Sequence, residues 1–163
     1  GIHLGAALSH IHEQGFVHLD VKPWNAVVVR GRPVLFDLGT ARRPGLLPRR
    51  IGTRPYMAPE QCEPGRVGTA TDVFGLGVTL YEALTGELPF PGPAPGRPYP
   101  QLRADPVPPR RHVATLPAGL EGLLLDCLSP RPNDRPPLAR LLPALHTFIR
   151  GGPPMWPPGF HPG

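Results

Sequence analysis

The sequence contains almost no lysine, little cysteine and no long apolar run. Lys22 is the single lysine among 17 basic residues, and the others are arginine. The two cysteines, Cys62 and Cys127, have neither a CxxC spacing nor a metal-ligand spacing, so the sequence predicts reduced, buried thiols in a cytoplasmic protein. No apolar run approaches the length of a membrane span, and nothing in the sequence resembles a signal peptide.

Charged residues are also scarce, at 18% of the 163 residues, whereas 27 prolines and 20 glycines are abundant. Because hydrophobic residues still make up 40%, which is more than a disordered chain normally carries, we expect one folded domain over residues 1–150. Residues 151–163 read as a disordered Pro/Gly-rich tail. The net charge of +5 comes from arginines that are scattered along the chain, some of them in pairs, without a long basic run, which favours a high-GC genome over a nucleic-acid surface.

The hydrophobic pattern predicts a mainly helical domain with one small β-hairpin. The residues expected to form helices are 2–14, 70–85, 116–128 and 137–149, and those expected to form the two strands are 26–29 and 33–36. The helix over 70–85 is apolar on nearly all sides, so we expect it to be the buried centre of the domain. Residues 16–25, 37–60 and 89–111 are predicted to be loops.

Polar residues flank the predicted hairpin on both sides. Asp20, Lys22 and Asn25 stand before it at positions i, i+2 and i+5, and Asp37 follows the second strand. Because a hairpin returns the chain close to its start, we expect Asp37 to lie beside Asn25 and Asp20. Carboxylate and amide oxygens suit Mg²⁺, which usually also binds substrate phosphates, and a lysine supplies positive charge for a phosphoryl group. The pattern therefore predicts a phosphoryl-transfer site.

Five motifs of the chain resemble those of the C-terminal lobe of eukaryotic-type protein kinases. The motifs are the catalytic loop HLDVKPWN (18–25), the metal-binding DLG (37–39), the end of the activation segment GTRPYMAPE (52–60), the central helix DVFGLGVTLYEALTGELPF (72–90) and NDRP (133–136). They follow one another in the family's order across residues 2–149, which makes the combination specific. The resemblance implies a mainly α kinase C-terminal lobe with a small hairpin, the N-terminal lobe being missing.

The resemblance implies roles for five residues at the reaction centre. Asp20 would accept or orient the proton of the substrate hydroxyl, Lys22 would contact the γ-phosphate of ATP, and Thr53 would shape the acceptor site. Asn25 and Asp37 would hold Mg²⁺. A Pro after Lys22 is the form found in Ser/Thr kinases, so the implied partners are ATP and proteins that present Ser or Thr.

Five further residues receive supporting roles from the same resemblance. Val27 would form part of the apolar floor under adenine. Glu60 would pair with Arg135 and so pin the activation segment, which we define as residues 37–60. Asp72 would hold the backbone of the catalytic loop, residues 18–25, and His18 would be structural.

The chain departs from the family at positions that normally take part in regulation by phosphorylation. Leu19 stands where an Arg usually precedes the catalytic Asp, and residues 41–52 contain no Ser, Thr or Tyr. That Arg normally binds a phosphate on the activation segment. We therefore expect a non-RD kinase that is not switched by phosphorylation within residues 41–52. Trp24 and the Pro-rich residues 89–109 also depart from the family, and we expect them to alter peptide docking.

The Gly-rich phosphate loop and the ATP-binding lysine of the N-terminal lobe have no counterpart in the sequence, since Lys22 is already assigned. We expect negligible phosphoryl transfer by residues 1–163 alone and activity in a longer parent chain. The kinase domain is expected to be cytoplasmic, with no membrane segment in this sequence, although the parent could carry a membrane anchor. The Pro, Gly and Arg bias looks like that of an actinobacterial-type enzyme.

Three other functions remain as alternatives. A pseudokinase-like interaction module would lack catalytic residues, whereas Asp20, Lys22, Asn25 and Asp37 are all present. A small-molecule phosphotransferase shares the H-x-D-x₄-N loop, but the MAPE segment and the lysine two residues after Asp20 argue against it. Nucleic-acid binding through the arginine excess is the third alternative, and it would be strongly salt-dependent.

Overall fold

The computed structural model describes residues 1–29, 32–47 and 50–148. The α-helices in these residues are α1 (Ile2–Glu13), α2 (Pro59–Cys62), α3 (Thr69–Thr85), α4 (Ala118–Cys127) and α5 (Leu138–His146). The strands are β1 (Ala26–Val29), β2 (Arg32–Leu35), β3 (Gly45–Leu46) and β4 (Arg66–Val67), paired antiparallel as β1–β2 and β3–β4. The predicted fold class, mainly α with a small antiparallel sheet, is confirmed.

The four predicted helices are present, with ends that differ from the prediction by a few residues. Gly15, at φ 79°, follows the end of α1, as expected for a glycine that stops a helix. Helices α4 and α5 begin directly after Pro117 and Pro137, later than predicted. The predicted last residue of the fourth helix, Ile149, lies outside the described residues.

The predicted hairpin is also present, but its second strand is β2, one residue earlier than expected. Ala26 pairs with Leu35 and Val27 with Val34. Phe36, which the sequence placed in the strand, instead donates its N–H to the carbonyl of Asn25 at 2.9 Å. The chain therefore leaves the hairpin beside the catalytic loop.

Helix α3 is the centre of the core, as predicted from its apolar character. Every residue from Thr71 to Thr79 is buried, and α1, α4 and α5 pack around the helix in one apolar cluster. Helices α1 and α5 pack closely, since Leu142 occupies the space that a side chain at Gly5 would need. On the other side of α3, Phe74 stacks on Phe90 with ring centroids 6.0 Å apart.

The Pro-rich stretch over 89–111 contains the 3-10 turns Pro100–Leu102 and Pro109–Arg111 and an isolated β-bridge between Ala94 and Arg97, in agreement with the loop prediction. It is nevertheless held in place. The Tyr81 hydroxyl donates to the carbonyl of Val107, and the N–H of Val107 donates to the carbonyl of Pro89, both at 2.8 Å. The predicted tail over 151–163 lies outside the described residues. Among the helices that are described, none has the length and apolarity needed to cross a membrane.

Candidate active site

Asp72 of α3 fixes the backbone of the catalytic loop from the core. Its two carboxylate oxygens accept the N–H groups of His18 and Leu19, both at 2.8 Å. Leu19 has a positive φ of 68°, a strained conformation for a branched side chain, and these bonds help to maintain it. The sequence did not reveal that His12 of α1 also contacts Asp72, with Nε2 2.8 Å from Oδ2. Asp20 therefore follows a backbone that is anchored in the buried centre.

Three side chains meet at the predicted reaction centre. The Lys22 ammonium lies 2.6 Å from Asp20 Oδ2 and 2.7 Å from Thr53 Oγ1. The backbone N–H of Thr53 donates to Asp20 Oδ1 at 2.9 Å. The catalytic loop and the activation segment are thus joined at Asp20, although Thr53 is 33 residues away in sequence.

The surroundings of Asp20 keep its carboxyl group ionised. Burial alone would raise the pKa, but the hydrogen bonds from Lys22 and Thr53 and the charge of Lys22 outweigh it, so the pKa of Asp20 lies below its usual 3.8. The group is accordingly a carboxylate at neutral pH. It can accept a hydrogen bond from an incoming hydroxyl and orient it.

Asn25 contacts this centre directly, and Phe36, whose N–H donates to the carbonyl of Asn25, brings the chain back to it just before Asp37. Asn25 donates its amide nitrogen to the carbonyl and to Oδ2 of Asp20, at 2.9 and 3.1 Å, which leaves its side-chain oxygen available. Asp37 follows Phe36, is exposed, and uses Oδ1 to accept the N–H of Gly39 at 3.1 Å. The described part of the chain contains no group of three His, Cys, Asp or Glu placed to hold a metal ion. Carboxylate and amide oxygens are hard ligands, of the kind that suits a cation which takes its other ligands from phosphate and water.

The start of the activation segment is tied back to the catalytic loop. The Thr40 hydroxyl donates to the carbonyl of His18 at 2.7 Å, and Val17 and Arg42 exchange backbone hydrogen bonds of 2.8 and 3.0 Å. The His18 ring is fully buried, with Nε2 3.3 Å from the carbonyl of Phe36. His18 thus has contacts consistent with the structural role expected for it.

The end of the activation segment is tied to the C-terminal half of the chain. Arg135 donates to both carboxylate oxygens of Glu60, at 2.7 and 2.9 Å. The Thr71 hydroxyl donates to the same carboxylate at 2.9 Å, and the guanidinium also lies 5.0 Å from the ring centre of Phe74. The Glu60–Arg135 pair foreseen from the sequence is therefore present in a buried position.

Leu19 lies in an apolar cluster, where the family resemblance would place an arginine. Its side chain is 3% exposed and packs with Val17, Ile51 and Val67, which are all buried as well. Ile51 of the activation segment thus contacts Leu19 of the catalytic loop through hydrocarbon. No phosphate is needed for this contact.

Sequence reasoning missed Gln61, which follows the MAPE motif. Its side chain is buried and forms hydrogen bonds with Leu19, Ile51 and Ala58. A polar residue directly after a recognised motif was the only available signal. Val27, by contrast, is 45% exposed and faces the equally exposed Val34 across the hairpin, so the apolar surface expected beneath adenine is open.

An apolar groove of about 690 Å³ begins at Arg54, directly after Thr53. Its lining includes Arg54 and Pro55, then Glu82, Glu87 and Phe90, and prolines of the Pro-rich stretch: Pro91, Pro93, Pro98 and Pro100. The Tyr56 hydroxyl donates to Glu82 at 2.6 Å, and burial together with this carboxylate raises the pKa of the phenol. Trp24, at 68% exposure, stands with its ring edge-on to Tyr56.

Comparison with known proteins gives a consistent result. A model of the protein kinase domain matches residues 2–146. The serine/threonine-protein kinase PknB of Mycolicibacterium smegmatis is 38% identical over 138 residues, which cover 79% of this chain and 22% of the relative. PknB of Mycobacterium tuberculosis strain H37Rv is 35% identical over 157 residues, covering 91% and 25%. PkaA of Streptomyces coelicolor, also a serine/threonine-protein kinase, is 36% identical over 155 residues, covering 89% and 28%. The chain thus spans about a quarter of the length of these curated relatives.

Proposed function

Because the chain belongs to the protein kinase family, we propose that it supplies the catalytic lobe of a Ser/Thr protein kinase, which transfers the γ-phosphoryl group of ATP to protein hydroxyls. The observation that carries this proposal is the junction of Asp20, Lys22 and Thr53, in which the Lys22 ammonium lies 2.6 Å from the Asp20 carboxylate and 2.7 Å from the Thr53 hydroxyl, and the Thr53 N–H donates to that carboxylate at 2.9 Å. Phosphoryl transfer requires such groups, namely one that orients the acceptor and a positive charge for the phosphate.

The proposed reaction forms a bond between the acceptor oxygen and the γ-phosphorus and breaks the bond from that phosphorus to the bridging oxygen, which leaves with ADP. Asp20 accepts the hydrogen bond of the acceptor hydroxyl and takes its proton as the new bond forms. Lys22 supplies a compact ammonium for the moving phosphoryl group. Thr53 keeps both groups at their spacing.

The family uses ATP and a divalent metal in general, and we assign the metal here as Mg²⁺, held by Asn25 and Asp37. The side-chain oxygen of Asn25 and the exposed carboxylate of Asp37 are hard ligands, which fit a metal that shares phosphate ligands. When bound, such an ion neutralises charge on the phosphates. Asn25 also holds Asp20 in place through its amide nitrogen.

The remainder of the ATP site is proposed to come from an N-terminal lobe in the same gene product. In support, Val27 and Val34 expose an adjacent apolar pair on the hairpin, next to Asn25. Lys22 bonds to both Asp20 and Thr53, so the one lysine of the chain is unavailable for another ATP contact. The kinase domain is proposed to be cytoplasmic, where ATP is available, and the two free thiols agree with this location.

The geometry favours this proposal over its competitors. A pseudokinase-like module has no need of an ionised Asp20 that is held between Lys22 and Thr53. A small-molecule phosphotransferase has no need of an activation segment that is held by the Glu60–Arg135 pair. It also has no need of an open groove beside Thr53. That groove suits the flanking residues of a protein acceptor.

The test is an ATP-dependent phosphorylation assay on the full gene product with protein and peptide acceptors, followed by phosphoamino-acid analysis. We expect phosphoserine or phosphothreonine, with transfer abolished in the Asp20→Asn variant and retained in Asp126→Asn, which changes an exposed carboxylate of α4. Residues 1–163 alone are expected to transfer negligible phosphate. Transfer that survives Asp20→Asn, or transfer to small alcohols only, would contradict the proposal.

A further inference from the structure

Gln61 connects two segments that carry the reaction centre. Its side chain is only 2% exposed. The amide nitrogen donates to the carbonyls of Leu19 and Ile51, both at 2.8 Å, and the amide oxygen accepts the N–H of Ala58 at 2.9 Å. One side chain thereby satisfies a carbonyl of the catalytic loop and a carbonyl of the activation segment at the same time.

These two carbonyls lie one and two residues before Asp20 and Thr53, the residues that set the reaction geometry. Leu19 is followed by Asp20, so its carbonyl belongs to the peptide that leads into that carboxylate. The Leu19 N–H is held by Asp72 and its carbonyl by Gln61, which fixes the residue from both sides at its positive φ of 68°. Ile51 is separated by one glycine from Thr53, whose N–H donates to Asp20 Oδ1.

The glycine between Ile51 and Thr53 shows how closely the two segments approach. Gly52 has a φ of 116°, and a Cβ there would lie 2.7 Å from the Leu19 carbonyl and 3.0 Å from Gln61 Nε2. Only a residue without a side chain fits this contact. Leu19, Gln61 and Ile51 therefore form a short series of hydrogen-bonded contacts between the backbone before Asp20 and the backbone before Thr53.

We propose that Gln61 is a positioning residue for phosphoryl transfer, one that sets Asp20 against Thr53 by holding the carbonyls of Leu19 and Ile51 together. The inference rests on the proposed kinase function and adds to it. It also explains how the segment is ordered without modification, since residues 41–52 contain no Ser, Thr or Tyr. The hydrogen bonds of the Gln61 amide, with the apolar Leu19–Ile51 contact, order the segment in place of a phosphate.

Gln101 supplies a matched control. It is also a buried glutamine, at 5% exposure, and its amide nitrogen donates to the carbonyls of Arg54 and Met57 at 3.0 and 2.9 Å. It therefore holds the activation segment beyond Thr53, and none of its described hydrogen bonds reaches the catalytic loop. Replacing either glutamine by methionine removes comparable bonds at similar volume, but only Gln61→Met releases the path to Asp20.

The experiment measures steady-state phosphorylation of a peptide by the full gene product and its Gln61→Met and Gln101→Met variants. We expect similar losses of thermal stability in the two variants. Gln61→Met should lower kcat about 10- to 100-fold with little change in KM for ATP, since small misplacements of reacting groups have effects of this size. At saturating peptide, Gln101→Met should keep kcat within about threefold, because the place of Gln101 in the groove lining bears on KM for the peptide. An unchanged kcat in Gln61→Met, or an equal fall in both variants, would overturn the proposal.

A second measurement separates this inference from the function on which it rests. Hydrogen exchange of the Thr53 amide reports its bond to Asp20 whether or not phosphate is transferred, and it should quicken in Gln61→Met but not in Gln101→Met. An active wild type with unchanged exchange at Thr53 overturns the positioning role alone. A wild type that transfers no phosphate overturns the proposed function and this role with it. Should Gln61→Met not fold, Gly52→Ala disturbs the same contact and is expected to lower kcat, and a normal kcat there would count equally against the proposal.

Discussion

Arg135 and Glu60 form a bidentate ion pair between segments 75 residues apart, with hydrogen bonds of 2.7 and 2.9 Å. The side chains are 0% and 8% exposed, so the pair is held away from water. Removing one partner of a buried pair leaves an uncompensated charge, which costs about 3–5 kcal/mol. We therefore expect Arg135→Met to lower the free energy of unfolding by about this amount, measured by urea denaturation.

The control is Arg140→Met, which removes an exposed arginine of α5 and should leave the unfolding free energy nearly unchanged. The double variant Glu60→Gln with Arg135→Met should lose less stability than the sum of its single variants, because it leaves no unpaired charge. Strict additivity of the two changes would mean that the pair does not act as a unit.

A second prediction concerns Asp72, whose two oxygens accept the N–H groups of His18 and Leu19. Asp72→Asn keeps the shape but turns one acceptor into a donor, so one of these buried N–H groups loses its partner. The expected cost is about 1–3 kcal/mol of stability, with a fall in phosphoryl transfer by the full gene product because the backbone before Asp20 is released. Thermal unfolding and the phosphorylation assay measure the two effects. Asp126→Asn serves as the exposed control, and wild-type stability in Asp72→Asn would show that the anchor is dispensable.

A third prediction follows from the thiols. Burial, with a smaller effect from Glu60, raises the pKa of Cys62 to about 12, and burial likewise raises the pKa of Cys127 to about 12. The reactive thiolate is therefore almost absent at pH 8, where an ordinary thiol with a pKa of 9.0 is partly ionised. We expect a disulfide reagent to label neither cysteine in the native chain at pH 8 and to label both together as urea unfolds it, with glutathione as the reference thiol. Rapid labelling of either cysteine without denaturant would contradict this environment.

The parts of the fold that the sequence predicted are those in which local pattern and tertiary role agree. The sequence of helix α3 is apolar on nearly all sides, and its residues from Thr71 to Thr79 are all buried in the core. The polar residues of the catalytic loop were recognisable because no packing role explains their spacing. The hairpin also led to the expectation that Asp37 lies beside Asn25 and Asp20, which stays a prediction, and the bond from the Phe36 N–H to the carbonyl of Asn25 agrees with it.

The parts that escaped prediction depend on contacts between distant residues. Strands β3 and β4 have two residues each and carry no periodicity, so nothing in the sequence marked them. The αL conformation of Leu19 is imposed by Asp72 and Gln61 and contradicts the preference of a leucine. Gln61 itself has a polar side chain that suits an exposed surface. Its burial is explained by its hydrogen bonds with the backbone of Leu19, Ile51 and Ala58.

The last prediction concerns Leu19→Arg, which introduces the arginine that the family resemblance would place before Asp20. The side chain of Leu19 is buried among Val17, Ile51 and Val67, and residues 41–52 offer no Ser, Thr or Tyr to bear a phosphate. The introduced guanidinium would have neither water nor a partner, so we expect the variant to lose several kcal/mol of stability and to gain no phosphoryl transfer. Leu19→Met is the control, since it keeps the volume and the αL backbone and should cost less than about 1.5 kcal/mol. Urea unfolding and the phosphorylation assay, with phosphosite mapping of the full gene product, measure the outcome. A Leu19→Arg variant with wild-type stability, or with higher activity after phosphorylation at Thr53, would show that the apolar contact is not what holds the segment in place.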